Sequence, residues 1–368
     1  MARAHVVFLF LVIAPATTPS PTSAQQAPGG VKIGGFAEAS YTGSTNAEGN
    51  VVVGRLYDRL HDQFMLNALV LWLDKPHDPA TRSAGFHAEV LFGQNAAVIK
   101  SGGLDLGNHG DIPHLYVTLN LPTKSGNGVQ LKMGRIPTLM GLEVIETTAN
   151  PNWSEGNQFV YVENFTGLGV SLETKFSDKL DAQLRLINGW DAVADNNRAK
   201  SLMARVGLYP DANTSIALLG FLGPEQGGDA SAARSGVEVL AWRKFGKAAL
   251  WLQGDVGTEE ANAELPVSSQ DAQWWAVGAW LTYDLSATVG LAVRADVLTD
   301  EHGARTSGAL GFPANTGHDL SSLTGTLNVR TWPGALVRPE VRYDHSSLPA
   351  FAGEESQITI ALSVAYLF

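Results

Sequence analysis

Residues 358–368 read ITIALSVAYLF, in which Ile358, Ile360, Leu362, Val364, Tyr366 and Phe368 alternate with Thr359, Ala361, Ser363 and Ala365. Successive side chains of an extended strand point to opposite faces, so this stretch has one large apolar face and one small or polar face. A helix would scatter the same six side chains around its axis. The strand therefore lies between an apolar and a polar medium, and the rest of the chain must decide whether the apolar medium is a protein core or lipid.

The same alternation recurs along the chain, bounded by turn residues, and predicts sixteen strands. They lie near 31–43, 62–73, 84–94, 111–122, 127–136, 165–175, 179–189 and 201–209, then 213–222, 233–243, 247–257, 271–283, 287–298, 320–331, 335–345 and 356–368. Tight links rich in Gly, Pro, Asp or Asn follow strands 4, 6, 8, 10, 12 and 14: TKSGN, SDK, PDAN, FGK, DLSA and WPGA. Longer links such as 43–61, 95–110, 137–164, 258–270 and 299–319 follow odd strands, and DKPHDPATRS after strand 2 breaks the rule. Short turns on one rim and long loops on the other are the layout of an outer-membrane barrel.

Three further features favour lipid outside over a soluble sandwich, which also alternates. Aromatic residues on the apolar parity sit near strand ends, with Tyr41, Phe92, Trp275 and Tyr343 toward the long loops and Trp72, Tyr283, Tyr366 and Phe368 toward the turns. Strands of about ten to twelve residues match a tilted span of hydrocarbon, whereas soluble strands average about five or six. The apolar face is built of Leu, Val, Ala and Gly, while in strand 15 Arg338, Glu340, Arg342 and Asp344 share the other. The expected fold is all-β, a transmembrane antiparallel up-and-down β-barrel of about sixteen strands.

Composition sets outer bounds. The chain has 368 residues, no Cys and a net charge of −11 with no basic stripe, which excludes disulfides and argues against a nucleic-acid partner. Arg3, the apolar run Val6–Ala14 and the small residues up to Ala24 read as a secretory signal peptide over 1–24, leaving 25–368 as one barrel domain. The longest apolar run, Phe64–Leu73, is interrupted by Asn67 and is too short for a membrane helix of about twenty residues.

The segment LKMGRIPTLMGLEVIETTANPNWSEGNQFVYVENFTGLGV at 131–170, together with ALSVAYLF at the end, resembles the β-barrel porins of Gram-negative outer membranes. The resemblance rests on Gly134, Arg135, Gly141, Glu143, Asn152, Ser154, Phe165, Thr166, Gly169 and Val170. It implies passive diffusion of small hydrophilic solutes, with no enzymatic activity and no cofactor or metal. It also implies that loop 137–164 folds inward as a constriction, and that Tyr366 and Phe368 form a signal read by the barrel-assembly machinery. The implied surroundings are outer-membrane lipid and, by analogy with sixteen-stranded porins, a homotrimer.

Parity places Lys132, Arg185, Arg205, Arg294, Arg330, Arg338 and Arg342 on a basic lumen wall, while loop 137–164 carries Glu143, Glu146, Glu155 and Glu163 and no Lys or Arg. If the loop enters the lumen, those carboxylates are expected to face the arginines across a gap; the plainer alternative is a solvated polar wall. Other readings are a channel selective for an anion, carboxylate or sugar, a barrel enzyme needing a Ser/His pair near the outer rim, and a non-conducting structural or adhesin barrel. No G-x-S-x-G or H-E-x-x-H occurs, and 103–111 and 191–197 lack EF-hand spacing.

Overall fold

The computed structural model describes residues 25–26, 30–124, 127–261 and 270–368. The expected signal peptide at 1–24 lies outside the described residues. Sixteen strands form one closed antiparallel ring. They are β1 Lys32–Ser44, β2 Gln63–Lys75, β3 Ser83–Phe92, β4 Gly110–Leu121, β5 Val129–Pro137, β6 Thr166–Ser177, β7 Leu180–Ile187 and β8 Ser201–Asp211. The ring continues with β9 Thr214–Pro224, β10 Ala233–Phe245, β11 Ala248–Glu259, β12 Ala272–Asp284, β13 Val289–Thr299, β14 Asp319–Val329, β15 Ala335–Ser346 and β16 Ser356–Leu367. No end departs from the sequence reading by more than two residues. A two-residue segment, Gln25–Gln26, also pairs beside the start of β1.

The opening stretch closes the ring. β16 pairs with β1 from Thr359 opposite Ser44 to Leu367 opposite Phe36. Its apolar set faces outward, Ile360 being 65% and Tyr366 56% exposed, while Gln357, Thr359 and Ser363 are buried inside. An open sheet would leave unpaired edge groups in hydrocarbon, where each costs several kcal/mol; closure satisfies them.

Trp72 departs from the expected aromatic girdle. Between β1 and β2 the register shifts, so that Glu38 pairs with Ala68 and Ala39 with Leu66, leaving Asn67 as the extra residue of a β-bulge. Phe64 and Leu66 point to lipid before the bulge, and Leu69, Leu71 and Leu73 after it. Trp72 is thereby turned into the lumen, where its ring covers Gly34. The Asn67 that interrupts the apolar run is the residue that makes the switch, and its amide donates to Tyr57 O of the first long loop (3.1 Å).

The long even link has a local cause too. Asn120 on β4 donates from Nδ2 to the carbonyls of Asp78 (3.0 Å), Pro79 (3.1 Å) and Thr81 (2.7 Å), tying the 76–82 turn to the neighbouring strand.

Candidate functional site

The loop between β5 and β6, residues 138–165, lies inside the ring. Its base is set by Arg135, whose guanidinium donates to Asp111 Oδ1 (2.7 Å), Thr166 Oγ1 (3.1 Å) and Ser101 Oγ (2.7 Å). Gly141 starts the inward path with φ +74°, and an added Cβ would collide with the Glu163 carboxylate, so only glycine fits. The Gly141 N–H donates to Glu238 Oε2 of β10 (2.9 Å).

From there the loop crosses to strands on the far side. β13 is eight strands from β5 in a ring of sixteen, and Arg294 on β13 donates to Glu143 Oε1 at 2.7 Å. Trp280 Nε1 donates to the same oxygen (3.0 Å) and Gly156 N–H to the other (2.6 Å), which accounts for a carboxylate only 1% exposed. Asn152 donates to Thr326 Oγ1 (2.7 Å), and the Trp153 and Ser154 N–H groups donate to the Glu340 carboxylate (2.8 and 3.2 Å). Asn157 reaches Asp296 (2.6 Å) and Gln158 reaches Asp255 (2.6 Å). Each wall partner is a lumen-facing side chain, so the strand alternation that turns Leu and Val to lipid also presents a polar lattice to the loop.

The four loop carboxylates take different partners. Glu143 meets Arg294; Glu146 lies 3.3 Å from His114 Nδ1 on β4. Glu155 accepts from Asn150 Nδ2 (3.0 Å), and Glu163 accepts from Gln253 Nε2 (2.7 Å). The expected gap between carboxylates and arginines is absent at Glu143, which is in contact with its arginine, because buried charges are tolerated only when paired and hydrogen-bonded. Burial, reinforced by Asp255, holds Glu163 well above the usual carboxylate range, and burial with Glu143 nearby does the same to Glu155.

The basic wall is largely neutralised in place. Arg338 pairs with Glu38 (2.7 Å) and also donates to Thr147 O (2.7 Å), Arg342 pairs with Asp344 (2.7 Å), and Arg205 with Asp181 (3.2 Å). Lys132 and Arg185 share Glu173 at 2.8 and 3.7 Å. Arg330 sits apart at the turn rim, beside a cavity of about 370 Å³ also lined by Thr148, Asn150, Lys247, Asp284 and Asn328.

Sequence reasoning missed the first long loop, 45–62, as a second occupant of the lumen. Arg55 there pairs with Asp58, donates to Asp344 (2.8 Å) and to Thr359 Oγ1 (3.0 Å), and is buried. It also missed the inward tryptophans Trp242, Trp251 and Trp280, which pack with Leu142 of the inserted loop. Strand parity alone turns the three tryptophans inward, but their packing on Leu142 and the inward path of the first long loop join partners far apart in sequence, which no local pattern marks.

The family described as "Putative beta-barrel porin-2, OmpL-like" matches residues 30–368. No curated protein matches the chain in sequence. Among solved structures, the outer membrane channel DcaP of Acinetobacter baumannii aligns with TM-score 0.60 and 15% identity over 94% of this chain and 100% of that one. The anion-selective porin from Comamonas acidovorans aligns with TM-score 0.60 and 11% identity, over 92% and 99%. A trimer form of OmpT of Vibrio cholerae aligns with TM-score 0.58 and 10% identity, over 92% and 99%. At these identities the structural likeness speaks for the fold, whereas the family match spans nearly the whole chain. A closed sixteen-stranded ring with a lipid-type outer face, a polar interior and that family match make this chain a member of the OmpL-like β-barrel porin-2 family, an outer-membrane porin for passive diffusion of solutes.

Proposed function

We propose that the 138–165 loop sets the bore and ion preference of this porin. The observation that carries the reading is Glu143, held from the opposite wall by Arg294 and Trp280. A loop anchored on both sides of a ring divides its cross-section, and solutes must pass along the remaining polar wall. A barrel of this size leaves an aqueous lumen when nothing fills it, so the loop rather than the strands limits the flow. Replacing 144–156 by a short Gly-Ser linker tests this: unitary conductance should rise several-fold, and an unchanged conductance would refute it.

Strong anion selectivity draws less support, since Arg294, Arg338 and Arg342 each have a carboxylate partner. The reading favoured here is a weakly selective channel for small hydrophilic solutes. Reversal potentials across a KCl gradient distinguish the two.

A catalytic role also draws little support. His318 Nδ1 does meet Ser346 Oγ at 3.0 Å near the long-loop rim, as a barrel enzyme would need. Both residues are buried, however, and His318 Nε2, where an orienting carboxylate would sit, has no partner. The homotrimer is part of the same proposal, by analogy with the trimer form of OmpT, and native mass spectrometry of detergent-extracted protein tests it.

A further inference from the structure

Glu146 leads to a second constellation on the wall that faces away from Arg294. His87 and Glu89 are two residues apart on β3 and so share its lumen face, and His114 on β4 pairs directly opposite Glu89. One nitrogen or oxygen from each of the three lies within 4.8 Å of the others. His114 Nδ1 is 3.7 Å from Glu89 Oε1 and 3.3 Å from Glu146 Oε1, and the two imidazole centroids are 6.1 Å apart. Glu89 and His114 are 3% and 5% exposed, and both Glu89 Oε1 and His114 Nε2 are buried without a hydrogen-bond partner. Glu89 Oε1, an orphaned buried acceptor on the Nδ1 side of the His114 ring, points to a ligand held between the two side chains.

We propose that His87, Glu89 and His114 form a lumen site for a first-row divalent transition metal, with Glu146 of the inserted loop as a further oxygen beside His114. Two imidazoles and a carboxylate are the donor set of zinc-class ions, whereas magnesium and calcium take oxygen shells. Ligand bonds of about 2.0–2.2 Å place donors up to about 4 Å apart, so modest side-chain rotation closes the present cluster on an ion. The surroundings suit a cation: Asp74, opposite His87 on β2, lies 3.4 Å from His87 Nδ1. A carboxylate behind a ligating histidine fixes the ring and raises its basicity. Because Glu146 belongs to the loop and the other three residues to the wall, the ion would tie the two together.

The test is calorimetric titration of the full refolded protein in detergent with Zn²⁺ alone, then with Mg²⁺. Wild type should bind Zn²⁺ at one site, with affinity reduced about tenfold or more in His114→Ala, Glu89→Gln and the conservative His87→Gln. His109→Ala, an exposed loop histidine, should bind as wild type. Heat-modifiable migration on gels identifies the variants that are folded and enter the comparison. No Zn²⁺ binding up to about 1 mM, which corresponds to about −4 kcal/mol, would overturn the proposal. So would equal affinity in folded His87→Gln and wild type, or equally tight Mg²⁺ binding.

Discussion

Arg294 of β13 and Glu143 of the inserted loop form an ion pair at 2.7 Å in which neither side chain is more than 1% exposed. Removing one partner of such a pair leaves the other charge buried and alone, which costs about 3–5 kcal/mol. The sheet hydrogen bonds do not involve either side chain, so the cost falls on the loop and not on the barrel. Arg294→Met should therefore raise single-channel current noise and unitary conductance while heat-modifiable migration stays normal. A quiet channel of unchanged conductance would show that the loop is held without this pair.

The loop should also respond to pH. Burial raises the folded-state values of Glu163 and Glu155 above the usual carboxylate range. The packed loop then holds protons that a loosened loop would release, so packing is fully favoured below the ordinary value of about 4.3 and weakens as pH rises through the raised values. Hydrogen exchange across 138–165, corrected for intrinsic rates, should be slower at pH 5 than at pH 8. Glu163→Gln should narrow the difference, and faster exchange at pH 5 would reverse the sign argued here.

The bulge makes an unusual deletion prediction. Asn67 and Ala68 both face inward, so removing Asn67 restores plain alternation with Phe64, Leu66, Leu69, Leu71 and Leu73 all still facing lipid. Removing Val70 instead turns the strand beyond it over, placing Asp74 toward lipid. Assembly into membranes, followed by heat-modifiable migration, should survive the first deletion and fail with the second. Equal outcomes would mean that the bulge does not set the facing of β2.

Phe368 exchanges backbone hydrogen bonds with Gly35, at 3.0 and 3.1 Å, at the seam of the ring. Its ring faces lipid and lies close to Gly35. Its proposed role is in assembly, so Phe368→Ala should slow membrane insertion several-fold and leave the conductance of assembled channels unchanged. Insertion at the wild-type rate would remove that role.

The strands were legible because each must alternate between two media, and a pattern with period two is local. Trp72 was misplaced because a single extra residue, Asn67, inverts the parity, and nothing in the run FMLNALVLW separates a bulge from an ordinary polar position. The inward path of the loop followed from a resemblance and its partners did not, since Glu143 meets Arg294 across 151 positions of chain. His87, Glu89 and His114 escaped a search for helical metal spacings because the cluster forms across two strands, with Glu89 and His114 brought together only by the β3–β4 register.

The central claim is a conducting pore narrowed by the 138–165 loop, and the most direct measurement is single-channel recording of the refolded protein in a planar lipid bilayer. The account predicts discrete, stable unitary steps that grow several-fold when 144–156 is replaced by a short linker. Well-folded protein that gives no steps, with or without the loop, would contradict it.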